Sequence, residues 1–318
     1  MTANRTVSLL TPSGRLTLGS LLGALRPMAQ RQSDAFYGIS DLHAMTTEHD
    51  PLRLRDQADE TAILFLAVGL ERATLFRQSQ VPAHAQLAYL LECVATTGEL
   101  NRMIQFKEKG RGVDSTRVSL FTYPALMAAD ILLYRPEQVP VGDDQRQHVE
   151  LTRDLALRFN RRYGEVFTVP EVVTASDGSA RVMDLVHPER KMSKSADAAG
   201  TIYLLDPPDV VRRKVARAVT DSDTGPSAVR GSTEKAGVTN LLSILEACGG
   251  SADGVTTYGA LKREVTDAVV ATLEPVQKRY ADLAADALHV TQVFDAGAAR
   301  CRVVTAPVLA AAQAAIGL

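Results

Sequence analysis

Tryptophan is absent from this chain of 318 residues, and cysteine occurs only three times, at Cys93, Cys248 and Cys301. The missing tryptophan excludes nothing by itself. The thiols, scattered and odd in number, make neither a disulfide framework nor a metal-ligand spacing, so no structural metal is expected. Long apolar runs are lacking too, which excludes a membrane span. The first residues do not show the basic-then-apolar layout of a secretory signal, and the expected location is the cytoplasm. An excess of charge is also missing: 35 basic and 37 acidic side chains leave a net −2. Any contact with nucleic acid must then come from local basic patches. No internal repeat or low-complexity tract is evident.

What is present is a large apolar fraction, 46% of residues. That is ample for a real core, and the length allows roughly two domains. In the first two hundred residues apolar strands alternate with helical stretches. Val7, Leu9 and Leu10 suit a buried parallel strand. Ala35 to Ser40 and Thr74 to Phe76 read as the next two. Asp50-Pro51 starts a helix, cap residue then first-turn proline, which runs toward Gly69; Ala85 to Cys93 reads as another. The pattern predicts an α/β fold, a parallel sheet with crossover helices, whose ligands bind beyond the strand C-termini. Asp206-Pro207-Pro208 marks a boundary. Beyond it, Asn240 to Ala247, Tyr258 to Leu273, Ala281 to Val293 and Val303 to Ile316 read as helices, and Asp221 to Val238 as a loop.

Three stretches carry chemistry. Thr11-Pro-Ser-Gly14 and Thr17-Leu-Gly-Ser20 follow the first strand and open a helix with Leu18, Leu21, Leu22 and Leu25 at helical spacing. Gly19 and Gly23 leave one face bare. A flat nucleotide can lie on such backbone, and the helix N-terminus offers N–H groups to phosphate; a small-residue packing contact would look the same. Lys191-Met-Ser-Lys-Ser195 places two lysines three apart among hydroxyls. Such a pair can grip and release a polyphosphate, although basic surface loops with serines are common. The third stretch is Thr122 to Tyr134, a strongly apolar helix with one carboxylate, Asp130, on the face of Met127. A buried acid needs a donor, which is either a structural partner or a ligand N–H. Val139 and Val141 can wall a flat apolar pocket. Gly142 turns the chain into a helix whose Asp144 and Gln145 can meet a ribose hydroxyl and an amino group. His43, in Ser40-Asp-Leu-His43, is either structural or a pocket residue.

Together these motifs resemble the bacterial tryptophanyl-tRNA synthetases, class I aminoacyl-tRNA synthetases of the tyrosyl/tryptophanyl subgroup. The similarity runs almost end to end. It is carried by Leu126-Met-Ala-Ala-Asp-Ile-Leu-Leu-Tyr134, Val139-Pro-Val-Gly-Asp-Asp-Gln145, Glu150-Leu-Thr-Arg-Asp154, Gly98-Glu-Leu100 with Gln105-Phe-Lys-Glu-Lys109, and Arg190 to Ser195. Thr220-Asp-Ser222 and Asn240-Leu-Leu242 also fit. The resemblance implies a Rossmann-like, doubly wound catalytic domain over residues 1–205 and an all-helical anticodon-binding domain over 206–318. It implies a symmetric homodimer, with tRNA-Trp lying across both subunits. Arg161, Arg162, Arg212, Arg213 and Lys214 are candidate contacts to its backbone.

The resemblance also implies roles for residues. Asp130 accepts the indole N–H and so rejects tyrosine and phenylalanine. Met127, Ile131, Val139 and Val141 pack the indole, with Val7 at a further position facing it. Gln145 and Tyr123 lie near the substrate ammonium and carboxylate, and Ser40 and His43 line the pocket. Gly19, Gly142 and Asp144 cradle adenosine and ribose, Met192 lies beside adenine, and Thr11, Ser13, Ser20, Ser193 and Ser195 complete the ATP site. Lys109, Lys191 and Lys194 hold pyrophosphate, and Thr17 takes the place of the first histidine of the HIGH signature. The implied reaction is in-line attack of the tryptophan carboxylate on the α-phosphate of ATP, whose Mg²⁺ arrives with the nucleotide. Positioning and charge neutralisation supply the rate, and the aminoacyl group then passes to tRNA.

The chain departs from the family around this pocket. Val7 replaces an aromatic, Leu9 a glycine, and Thr11 a longer polar or basic side chain. Ser20 stands where asparagine is typical, and Leu42 where a more polar residue is common. These changes suggest a specialised second copy, tolerant of indole-like inhibitors; neutral repacking explains them as well. A tyrosine-specific enzyme is a rival reading, as is a non-catalytic sensor of tryptophan or tRNA, though sensors tend to lose the lysine loop.

Overall fold

The structure, a computed structural model, describes residues 5–110, 112–113, 115–174, 181–193, 199–225 and 228–318. Lys194 and Ser195 lie outside the described residues, and so do the side chains of Lys109, Val141 and Asp144.

Strand β1 (Thr6–Leu10) leads into α1 (Leu18–Ser20), a π-helical turn (Leu21–Leu25) and α2 (Arg26–Gln30). Leu18, Leu21, Leu22 and Leu25 are buried, as their spacing predicts. Strand β2 (Ala35–Ile39) precedes α3 (Asp41–Ala44) and α4 (Pro51–Ala67). Asp50 caps α4 by accepting from the Arg53 N–H at 2.8 Å, with Pro51 in the first turn. Next come β3 (Thr74–Arg77), a 3₁₀ turn (Gln78–Gln80), α5 (Ala83–Glu92), α6 (Thr97–Asn101), α7 (Ile104–Lys109) and α8 (Val118–Leu132). Strand β4 (Gln138–Val141), α9 (Asp143–Tyr163) and β5 (Glu171–Thr174) close this part of the chain. The rest is helical: α10 (Pro208–Ala216), α11 (Ala236–Ala247), α12 (Tyr258–Ala284) and α13 (Ala287–Ile316).

Among the described residues β1, β2 and β3 form a parallel sheet in that order, and β4 pairs parallel with β5. Strand β4 lies beside β1. The strand order therefore reverses between β1 and β4, which is where ligands of open α/β sheets bind. Leu9 faces Gly38 across the β1–β2 ladder. A Cβ on Gly38 would stand 2.9 Å from Leu9 Cγ and 2.7 Å from Phe76 Cζ, so the bulkier residue on one strand is matched by the missing side chain on its neighbour.

Two differences from the sequence reading concern the C-terminal helices. The expected helix from Ala281 to Val293 does not exist as one element. One helix ends at Ala284, and Asp286 caps the next, accepting from the His289 N–H. The stretches around it merge into α12 and α13, long helices that run through Pro275 and Pro307. The far one returns to the sheet. Gly297 of α13 lies so close to β3 that a Cβ would overlap the Leu75 carbonyl. One apolar core joins the α1–α2 stretch and α4 to α10, α11 and α12; a second joins α5, α8 and α9 to Ala298, Cys301, Val308 and Leu309 of α13. Both cores thus draw on residues from each side of residue 206.

Candidate active site

Asp130 sits in the last turn of α8. The helix end already carries partial negative charge there, and the residue is 4% exposed. A carboxylate in that position needs donors. It has three. Oδ1 accepts from His84 Nδ1 at 2.6 Å and from Gln78 Nε2 at 2.7 Å; Oδ2 accepts from His43 Nε2 at 2.8 Å and from the same Gln78 amide at 2.9 Å. Since an ionised carboxylate only accepts, both facing ring nitrogens carry hydrogen. The other His84 nitrogen, Nε2, pairs with Tyr134 Oη at 3.0 Å. Tyr134 in turn meets Cys301 of α13. Burial pushes the Asp130 carboxyl up, but His43 and His84 more than offset this and hold it at about 2. Burial drives the Tyr134 phenol far above its usual range and the Cys301 thiol up to about 12. Asp130 is therefore ionised near neutral pH, while Tyr134 and Cys301 keep their protons.

The sequence reading missed Gln78 and His84 as partners of this acid, and Tyr134 and Cys301 behind them. Gln78 had a signal, because it directly follows β3 at the C-terminal end of a parallel strand. It is wholly buried, and its Oε1 has no hydrogen-bond partner among the described residues.

The proposed pocket residues converge here. Tyr123, Met127, Asp130 and Ile131 share one stripe of α8. Ile131, Val139 and Val149 form a small apolar cluster, with Met127 packed on it. The rings of His43 and Tyr123 meet edge to face with centroids 6.1 Å apart. Tyr123 Oη pairs with His148 Nε2 at 2.5 Å, and burial pushes this phenol up to about 12. His148 belongs to α9, whose first turn holds Gln145, so α8 and α9 meet at this group of residues. Val7 lies in the second core, next to Phe36 on β2. At the ends of β1 and β2, Thr11 and Ser40 join their hydroxyls at 2.9 Å.

The nucleotide candidates form a second group. Thr17 caps α1: its Oγ1 accepts from the Ser20 N–H at 3.2 Å, while Ser20 Oγ accepts from the Thr17 N–H at 3.3 Å. These two hydroxyls turn inward to serve the helix start. Ser13 is exposed nearby. A Cβ on Gly19 would stand 3.6 Å from Val182 Cβ and 3.9 Å from Met192 Cβ. Met192 is buried, Lys191 exposed and Ser193 partly buried. The strand-like run after the lysine segment ties the two ends of the group together. The Leu18 N–H donates to the Ile202 carbonyl at 2.8 Å, and the Leu204 N–H to the Leu16 carbonyl at 2.9 Å. Gly142, the cap of α9, is exposed.

Lys214 is a correction. Proposed as a contact to a nucleic-acid backbone, it faces inward, pairing with buried Asp206 at 2.7 Å and donating to the Thr201 carbonyl at 2.7 Å. Glu99, within a stretch that matches the synthetases, is also structural. It completes a capping box with Thr96 and accepts from Arg158 Nη1 at 2.9 Å.

Parallel strands whose order reverses between β1 and β4, a capped helix start after β1 and a buried anion beside an apolar cluster define an open α/β fold with a candidate ligand site at its switch point. The family model for class I tRNA synthetases (W and Y) matches residues 2–281, and the chain belongs to that family. It is 51% identical to tryptophan–tRNA ligase 1 of Streptomyces coelicolor, over 99% of this chain and 97% of the relative. Among solved structures it is similar to a tryptophanyl-tRNA synthetase from Mycoplasma pneumoniae, with a TM-score of 0.89, 35% identity and coverage of 99% and 98%. It is also similar to one from Campylobacter jejuni complexed with ADP and tryptophan, with a TM-score of 0.84, 30% identity and coverage of 99% and 100%.

Proposed function

We infer that this chain is a tryptophan–tRNA ligase. It activates L-tryptophan with ATP and transfers the product to tRNA-Trp. The observation that carries the reading is the Asp130 carboxylate, buried and ionised beside the apolar cluster of Met127, Ile131 and Val139. An indole ring fits such a cluster, and its single N–H suits an anion. The ligands of the Campylobacter jejuni relative are the same two chemistries. Gly19, Gly142, Asp144 and Met192 hold the adenosine side, with Ser20 in the ATP site and Thr17 at the catalytic position of the first HIGH histidine. Lys109, Lys191 and Lys194 neutralise the phosphates of ATP, which brings its own Mg²⁺. Charge that develops on the leaving pyrophosphate strengthens the lysine contacts in the transition state, which raises turnover.

The catalytic part comprises residues 1–205, and residues 206–318 approach the anticodon. The chain works as a homodimer. Large apolar side chains stand exposed on the neighbouring helices α5, α8 and α9, namely Tyr89, Val118 and Leu157, and a second copy would cover them. Tryptophan-dependent ATP–pyrophosphate exchange tests the reading. Exchange with tryptophan, but not with tyrosine or phenylalanine, supports it. Tryptophan binding without exchange would make the chain a sensor.

The altered pocket also supports a specialised copy. Thr11 joins its short side chain to Ser40, at a position where the family resemblance implies a longer polar or basic group. Aminoacylation with an indole-based inhibitor, run beside an ordinary relative, tests this; equal inhibition of both removes the idea.

A further inference from the structure

Asn240 belongs to the Asn240-Leu-Leu242 stretch and plays no part in the site described so far. It is a buried polar side chain on α11, 4% exposed. Its Oδ1 accepts from the Met183 N–H at 2.9 Å, and its Nδ2 donates to the Met183 carbonyl at 2.9 Å. One amide thus holds both backbone groups of a residue 57 positions away, as a neighbouring strand would. Asparagine suits this because its side chain presents one acceptor and one donor at peptide spacing.

Met183 is not an arbitrary anchor. It bridges antiparallel to Lys191, and the Met192 N–H donates to the Val182 carbonyl at 3.0 Å. Val182 and Met192 reach the side of Gly19, where a Cβ would stand 3.6 Å and 3.9 Å from theirs, beside Thr17 Oγ1 at 3.6 Å. A second contact joins α11 to the same stem. Gly237 lies one turn before Asn240, where a Cβ would overlap the Val219 carbonyl, and the Val219 N–H donates to the Leu185 carbonyl at 2.8 Å. Contacts therefore run unbroken from α11 through Met183 to Lys191, Met192 and the face of Gly19.

We propose that Asn240 is a positioning residue for the nucleotide: from the helical part of the chain it sets where Met192 stands against Gly19 and, one residue before it, where Lys191 stands. This rests on the ATP reading of those three residues. Displacing α11 from the sheet would carry Lys191 and Met192 with it, so the helical region governs the fit of ATP without touching it. Tryptophan, held by α8 and α9, is independent of this clasp.

The test compares Asn240→Leu and Asn240→Asp with Asn160→Leu. Asn160 makes the same kind of clasp far from the lysine segment, donating to the Phe167 carbonyl at 2.8 Å and accepting from its N–H at 2.9 Å. Pyrophosphate exchange gives the kinetic split, and hydrogen exchange over residues 182–192 reports the stem without substrate. For Asn240→Leu the KM for ATP should rise about tenfold or kcat fall as much, with the KM for tryptophan within about twofold. Amide exchange at 182–192 should quicken. Asn240→Asp keeps the acceptor and should fall between, which also serves if the leucine variant does not fold. Asn160→Leu should leave the KM for ATP unchanged. Parallel changes in both KM values, a matching effect from Asn160→Leu, or unaltered exchange at 182–192 would each overturn the proposal. Loss of exchange activity in the unsubstituted chain would instead overturn the ligase reading, while the hydrogen-exchange result would still decide whether the clasp holds the stem.

Discussion

His43 Nε2 lies 2.8 Å from Asp130 Oδ2, on the oxygen that Gln78 shares. His43 is the more exposed of the two imidazoles on this carboxylate, with 13% of its side chain accessible against none for His84. An arriving indole N–H would meet the acid on the His43 side, either sharing Oδ2 or displacing the imidazole. Gln78 and His84 would stay behind and keep the carboxylate ionised and aimed.

Asp130→Asn is therefore expected to harm both stability and recognition. The amide has one accepting oxygen for three donors, and its NH₂ must face another N–H. The unpaired groups should cost about 1–3 kcal/mol, read as a lower urea midpoint at unchanged slope. The kcat/KM for tryptophan should fall on the order of a hundredfold or more, with smaller losses for tyrosine. An unchanged urea midpoint would mean that the network does not hold the fold.

Acid should weaken the fold in a defined window. Asp130 is held at about 2 against its ordinary 3.8. Glu99 is held at about 2 against its ordinary 4.5, by its hydrogen bond from Arg158 above all, with burial opposing and Thr96 assisting. Both folded values lie below the unfolded ones, so the stability they supply is whole above the ordinary values and is lost as pH falls toward 2. Urea midpoints measured from about pH 6 down to about pH 2 should fall mainly below about pH 4.5. Glu99→Gln should make that fall shallower.

Lys214 and Arg213 are neighbours with opposite placements, one turned inward and one exposed. Lys214→Met strands the buried Asp206 carboxylate and should destabilise the chain by about 3–5 kcal/mol. Arg213 is exposed, and its pairing with Asp209 is a surface one. Arg213→Ala should leave thermal unfolding unchanged and reduce the salt dependence of tRNA binding. Equal destabilisation by both would contradict the inward placement of Lys214.

Much of this fold was legible in local patterns. The apolar runs at Val7, Ala35 and Thr74 became β1, β2 and β3, and Asp50-Pro51 became the start of α4, because burial and capping act within a few residues. β5 was not read: Glu171 to Thr174 is short, and its pairing with β4 decides it. The partners of Asp130 were illegible for a related reason. Gln78 and His84 lie 52 and 46 residues away, and only the packing of β3 and α5 against α8 brings them in. Sequence showed that the acid needs donors and left open whether protein or ligand supplies them. Protein supplies three. The inward turn of Lys214 was hidden likewise, since a lysine next to two arginines on α10 looks like part of an exposed stripe.

The most direct test of the indole reading uses a substrate that differs by one atom. In the benzothiophene analogue of tryptophan, sulfur replaces the ring N–H and the shape is nearly kept. Pyrophosphate exchange should run with tryptophan and fall on the order of a hundredfold or more in kcat/KM with the analogue, because Asp130 then lacks its ligand donor. Equal rates for the two amino acids would contradict the reading and leave Asp130 a purely structural anion.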